Sequence, residues 1–265
     1  MAAWRKCEQA ARRASNQCYS ARDTGRPISG AAKHMCGKYI LAQAAKAERA
    51  LGIRRSRWEY PPSYRVLPTE QVPVAVSQHG ERTAAMMRWG LIPFWAHGVP
   101  LKASTINATV ERVESAPSYR DSWQRDQRCI FAMGGFYEPH VNADGSRDQF
   151  FLHLADREVL GVAGLWDRSR RSDGTWVHSC VLITVPANRL LAEIHNEKQR
   201  MPAILAEEDY EVWLAGGKPE ARAALKPYPD ELMVGWKVSR RVNNPRLPND
   251  PTLIEPTAPE GAAPA

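Results

Sequence analysis

RCIFAMGGFYEPHVNADGSRDQFFLHL, residues 128–154, is the stretch that decides how this chain folds. Two β-rich apolar runs, 128–133 and 149–154, flank Asn142-Ala143-Asp144-Gly145, and its Asp-Gly pair suits the positive φ of a tight hairpin turn. Similar runs lie on either side: VPVAV at 72–76, MMRWGLI at 86–92, VLGVAGLW at 159–166 and WVHSCVLITV at 176–185. Ser172-Asp173-Gly174 separates the last two and is again hairpin-like. Residues 41–51 (LAQAAKAERAL) carry helix formers with apolar side chains at helical spacing, and Pro61, Pro62 and Pro68 then impose an extended, irregular path. Helices are expected over 187–194 and 207–215, where Glu207, Glu208 and Asp209 suit a helix N-terminus. The Pro- and Ala-rich tail from Asn249 is expected to be loose. The sum is a single α+β domain, with an antiparallel sheet or barrel at its core and helices packed around it.

Composition narrows the function classes. The chain has 265 residues, 43% hydrophobic and 25% charged, which excludes wholesale disorder, coiled coil and collagen. No run of about 18 apolar residues is present, so no membrane partner is expected. The formal charge of +7 suggests nucleic acid, but its location weakens the argument. Residues 1–34 hold seven Lys or Arg against Glu8 and Asp23, so +5 of the +7 sits there. That segment reads as a basic arm, a transit peptide, or residues upstream of the real start. Five cysteines (Cys7, Cys18, Cys36, Cys129, Cys180) form no C-x-x-C pair, and the seven histidines form no H-E-x-x-H. No disulfide framework, metal site or cofactor is therefore expected, and a reducing, cytoplasmic compartment fits.

Five short segments carry candidate chemistry: MCGKY (35–39), RWGLIPFWA (88–96), INA (106–108), GFYE (135–138), and Ile194-His195 followed by Arg200-Met201-Pro202. Cys36, Asn107, Glu138 and His195 can converge on one pocket, and a cysteine beside an imidazole and a carboxyl suits nucleophilic chemistry. Each alone has an ordinary explanation. A lone cysteine is usually a small buried hydrophobe, a lone histidine a satisfied core residue, and Glu138 a surface carboxylate. Spacing by itself leaves the matter open.

In order along the chain, MCGKY, RWGLIPFWA, INAT, GFYEP, AGLW (163–166), IHNEKQRMP (194–202) and VSRRVN (238–243) resemble the SRAP family, the SOS response-associated peptidases or abasic-site processing proteins. The resemblance spans residues 35–255, leaving 1–34 as an extension that is non-native or removed and 256–265 as a loose tail. Several positions depart from the family pattern. Thr109 replaces an arginine after I-N-A, Lys38 replaces the arginine of M-C-G-R-Y, and Pro139 stands where tryptophan usually follows the glutamate. Asn196–Gln199 also lengthen the gap between His195 and Arg200. Lysine keeps the charge at position 38 but loses the bidentate fork for phosphate.

The resemblance implies covalent capture of abasic sites in single-stranded DNA. An N-terminal cysteine bears an amine and a thiol on adjacent carbons, so it can form an imine with the sugar aldehyde and close a thiazolidine ring. Cys36 must then be exposed, either because Met35 is the true start and is trimmed, or because the chain is cleaved before Cys36. By the same resemblance, Asn107 positions Cys36, Glu138 accepts a proton near the amine, and His195 moves a proton at the sugar ring oxygen. DNA lyase and (auto)peptidase activity accompany that chemistry.

Lys38, Arg88, Arg120 and Arg200 are the expected phosphate contacts; Pro68, Phe94 and Trp95 are expected to part the strand. Core packing is the favoured reading for Trp89, and Arg168, Arg170 and Arg171 read as a solvated hairpin tip. The expected partner is single-stranded DNA containing abasic sites, the expected state a monomer, and the place the cytoplasm, nucleoid-associated when bound. Two alternatives stand beside this: a thiol peptidase using Cys36, His195 and Glu138, and a non-covalent single-stranded DNA-binding module.

Overall fold

A computed structural model describes residues 36–54 and 57–257; the readings of 1–34 and 258–265 fall outside the described residues. Among the described residues, ten strands form one sheet. They are β1 (Tyr39–Leu41), β2 (Gln71–Gln78), β3 (Glu81–Trp89), β4 (Asn107–Thr109), β5 (Arg128–Val141), β6 (Arg147–Leu154), β7 (Leu160–Arg170), β8 (Trp176–Pro186), β9 (Arg200–Pro202) and β10 (Met233–Val238). Short helices accompany them: α1 (Ala44–Ala50), α2 (Arg120–Gln124), α3 (Arg189–Ile194), α4 (Asp209–Ala215) and α5 (Lys218–Ala223).

The sheet closes on itself. β5 pairs with β2, β2 with β3, β3 with β8, β8 with β7, and β7 returns to β5, so the core is a barrel. Closure removes the unpaired edges that an open sheet would expose. Most pairings are antiparallel, as expected, but β3 and β4 each pair with β8 in parallel. The six anticipated strands all form, several longer than their apolar runs, because ladder pairing carries them through polar residues. Both anticipated turns close hairpins, with Gly145 at φ 79° and Gly174 at φ 86°. β1, β4, β9 and β10 were not legible: each is short, and neighbours already in the sheet recruit it.

β5 is the hinge of the architecture. Its first half, through Met133, lines the barrel against β2 and β7; its second half leaves the barrel to pair with β1 and β6. Gly135 permits that departure, since a Cβ there would lie 2.3 Å from the Phe151 ring and 2.8 Å from the Leu152 carbonyl. The main core fills the barrel and includes Trp89, Phe131, Trp213 and Tyr39; a smaller cluster of Ile40, Tyr137, Phe151, Val238, Val242, Leu253 and Ile254 lies under the β1–β6–β10 lobe. Trp89 is fully buried and its indole N–H donates to the Ile106 carbonyl at 2.9 Å, so the core reading holds.

The tail departs from expectation. Leu253 and Ile254 are buried, and Thr257 N–H donates to the Lys237 carbonyl at 3.0 Å. Burial of these two side chains outweighs the loop-forming composition around them.

Candidate functional site

The site forms where β5 leaves the barrel. The Tyr39↔Phe136 register and the bond from Tyr137 N–H to the Lys38 carbonyl at 3.0 Å carry Cys36 back alongside Glu138. Cys36 is 1% exposed and has φ 33°, a left-handed conformation that costs a β-carbon-bearing residue energy. Asn107 opens β4, whose parallel pairing with β8 holds its side chain amide 3.5 Å from the Cys36 carbonyl as donor. Tyr119 Oη donates to the Asn107 carbonyl at 3.3 Å and steadies the same strand end.

His195 ends α3, a helix capped by Asn188, whose side chain accepts from Leu191 N–H at 2.9 Å. The loop after it is fastened to β5. Asn196 Oδ1 accepts from Val141 N–H at 3.1 Å and its Nδ2 donates to the Val141 carbonyl at 2.9 Å, as a paired strand residue would. That clamp sets His195 Nδ1 3.6 Å from Glu138 Oε2 and 3.3 Å from the Arg200 carbonyl. A carbonyl can only accept, so Nδ1 carries a proton, leaving Nε2 as the lone-pair nitrogen of the neutral ring.

Burial governs the electrostatics. Desolvation pushes the Glu138 carboxyl up from 4.5 to about 8; Lys38, the Cys36 amide and thiol, and Lys198 pull it only part of the way back. Neither carboxyl oxygen has a hydrogen-bond partner of good geometry. Burial, reinforced by Glu138, raises the Cys36 thiol well above its usual value. Desolvation lowers both His195 and Lys38. Near neutral pH, the buried trio of thiol, carboxyl and imidazole is therefore held in its uncharged forms.

The remaining predicted residues are held by other contacts. Lys38 Nζ donates to Asn243 Oδ1 at 2.7 Å, which joins the first motif to the last. Arg200 is engaged by a fork to Glu111 (2.8 and 3.0 Å) and by the Thr184 carbonyl at 2.7 Å. Arg88 is half-buried and its Nη1 donates to the Gly90 carbonyl at 2.5 Å. Arg120 is exposed at the start of α2, with Nε 3.9 Å from Asp121. Pro68 is half-buried in the loop before β2, while Phe94 and Trp95 stand 41% and 40% exposed on a 3-10 turn. Sequence reading missed Glu111, Asn243 and Lys198. Lys198 lies in the long spacer after His195, and Glu111 two residues past Thr109, but only folding shows what they face.

Among the described residues, no group of three or more His, Cys, Asp or Glu side chains could hold a metal ion, and no helix is long and apolar enough to cross a membrane.

An α+β barrel with a buried cysteine, glutamate and histidine beside a half-buried asparagine is the class this geometry defines. The family described as SOS response associated peptidase (SRAP) matches residues 35–245, and the chain belongs to that family. The abasic site processing protein YoqW of Bacillus subtilis is 31% identical over 200 residues, covering 74% of this chain and 87% of YoqW. The abasic site processing protein HMCES of Pongo abelii is 29% identical over 273 residues, covering 84% and 76% of the two chains. A crystal structure of a Bacteroides thetaiotaomicron protein superimposes with TM-score 0.71 at 26% identity, over 83% of this chain and all of the other. One from Bordetella bronchiseptica gives 0.68 at 29% identity, over 77% of this chain and all of the other.

Proposed function

We propose that this protein captures abasic sites in single-stranded DNA as a covalent adduct of Cys36, exposed as the N-terminal residue. The observation that carries the reading is Glu138: a fully buried carboxyl beside the backbone nitrogen and thiol of Cys36, with neither oxygen in a hydrogen bond of good geometry. Buried carboxyls are normally paired, and a free α-ammonium on Cys36 is the partner this one lacks. The φ of 33° argues the same way, because that torsion exists only while a residue precedes Cys36 and its strain ends when the peptide bond is gone. Relatives named as abasic site processing proteins point to the same substrate.

The chemistry follows from the placement. His195 Nε2 takes the proton of the C1′ hydroxyl and passes it to the ring oxygen of the abasic sugar as the C1′–O bond to the ring opens, leaving the aldehyde. Once Cys36 is the first residue, its α-ammonium holds Glu138 as the carboxylate; Glu138 takes a proton from that ammonium, and the freed amine attacks C1′. The carbinolamine loses water, with Glu138 returning the proton to the departing hydroxyl, and a protonated imine remains beside the Glu138 carboxylate. The Cys36 thiol then adds to the imine carbon, its proton passes to nitrogen, and the five-membered ring closes. Asn107 holds the Cys36 carbonyl in register throughout. The imine also opens a path to β-elimination, and so to lyase activity.

Phosphates are met by Lys38, Arg88, Arg120 and Arg200; Pro68, Phe94 and Trp95 wedge the strand. Arg200 must exchange its Glu111 fork for phosphate, and Thr109 supplies no charge, so this face binds less tightly than the family pattern implies. A thiol-peptidase mechanism needs a thiolate, which burial of Cys36 disfavours.

Two measurements test the proposal. Intact mass of natively produced protein should show Cys36 as the first residue; a chain retaining residues 1–34 refutes the exposure. Incubation with an abasic oligonucleotide should yield a denaturant-stable adduct that Cys36→Ala abolishes. Proteolysis without an adduct would favour the peptidase, and reversible, salt-sensitive binding alone the non-covalent module.

A further inference from the structure

The β7–β8 hairpin bears a feature that the lesion pocket does not use. Strand alternation sorts its side chains onto two faces. Asp167, Ser169, Val177 and Ser179 point inward and are buried. Asp167 Oδ2 accepts from Phe94 N–H at 2.9 Å, and Ser169 Oγ accepts from Gly98 N–H at 2.8 Å, so the arm is fastened to the 94–98 turn. The outward face carries Trp166, Arg168, Arg170, Trp176 and His178, every one aromatic or basic.

Register sets them in cross-strand pairs, Arg168 opposite His178 and Arg170 opposite Trp176. Trp176 is 50% exposed, with the Arg168 and Arg170 guanidinium carbons 5.1 and 5.9 Å from its ring centre. The exposed carboxylate of the turn, Asp173, is engaged by Thr175. A solvated surface normally intersperses charges of both signs. Here the face is uniformly cationic and aromatic, the pairing that binds phosphates and stacks bases.

We infer that the outward face of the β7–β8 hairpin, centred on Trp176, Arg168 and Arg170, is a second contact for single-stranded nucleic acid. This rests on the reading of the protein as a DNA-processing enzyme and extends its footprint. Trp176 lies six residues along β8 from Leu182, which is in register with Asn107; at about 3.3 Å per residue that is roughly 20 Å. At about 3.4 Å per stacked nucleotide the arm meets the strand about six nucleotides from the pocket. It therefore holds flanking DNA, whatever the lesion.

The test uses full-length protein and undamaged oligothymidylates of about 5 and about 25 nucleotides, read by fluorescence anisotropy, beside a crosslinking reaction on an abasic oligonucleotide. Trp176→Ala should weaken the long strand roughly 5- to 30-fold, about 1–2 kcal/mol, and leave the short one unchanged. Trp176→Phe should recover most of that loss. Arg168→Ala with Arg170→Ala should lower the salt slope of log K by about 1.4, at about 0.7 per phosphate contact. If wild type crosslinks normally and all three variants bind the long strand within twofold of it, the hairpin contact is refuted while the lesion chemistry stands. If wild type neither crosslinks nor binds either strand, both fall.

Discussion

Glu138→Gln tests the electrostatic argument most directly, because its effect on stability should change sign with the residue that precedes Cys36. In a chain still carrying Met35, folding raises the carboxyl from 4.5 to about 8. A group whose pKa rises on folding contributes most below its unfolded value, and the contribution is lost as pH rises through the folded value. Glu138 therefore supports folding fully below about pH 4.5 and loses stability between about 4.5 and 8, by up to about 1.4 kcal/mol per pH unit. The loss is at most about 3 kcal/mol at pH 7 and about 5 kcal/mol above pH 8. Glutamine keeps the shape and cannot ionise. Urea unfolding of the Met35-retaining protein should thus find Glu138→Gln equal to the parent near pH 4.5, and more stable by several kcal/mol at pH 9. In a chain beginning at Cys36 the α-ammonium pairs with the carboxylate, and removing one member of a buried pair costs about 3–5 kcal/mol. There the same substitution should destabilise at neutral pH. A difference between variant and parent that ignores pH in the first chain, or keeps its sign in the second, refutes the reasoning.

Other outcomes follow from particular contacts. His195→Ala should slow adduct formation by about 100-fold or more while single-strand affinity holds, as expected for a proton-transfer group; an unchanged single-turnover rate removes His195 from the chemistry. Trp89→Ala should cost about 3–5 kcal/mol in urea unfolding, since it empties a fully buried site and leaves the Ile106 carbonyl with only its bond from Leu182 N–H, and a loss under about 1 kcal/mol contradicts the packing. Gly135→Ala should cost about 1–3 kcal/mol, because its Cβ meets the Phe151 ring and the Leu152 backbone; wild-type stability would mean that β5 does not bend as described.

Much of the barrel was legible before folding. The β-rich runs and the two Gly-containing turns specify β2, β3, β5, β6, β7 and β8, because a half-buried strand needs alternating apolar side chains and a two-strand turn needs residues tolerant of positive φ. Short strands leave no such trace. β4 spans three residues, yet its pairing with β8 places Asn107 beside Cys36. The tail composition misled, because Leu253 and Ile254, set in a Pro- and Ala-rich sequence, are buried against Ile40, Tyr137 and Phe151.

The chemistry divides along the same line. The types of the candidate side chains and the order of the motifs are properties of the sequence: Cys36, Asn107, Glu138 and His195 were named without coordinates, as was the basic hairpin tip. Their states are not. That Glu138 is a buried carboxyl with no hydrogen bond of good geometry, that Arg200 is engaged by Glu111, and that Arg168, Arg170 and Trp176 share one outward face depend on which elements exclude water and which register pairs two strands. Desolvation and register arise between segments far apart in the chain, so only tertiary structure decides them.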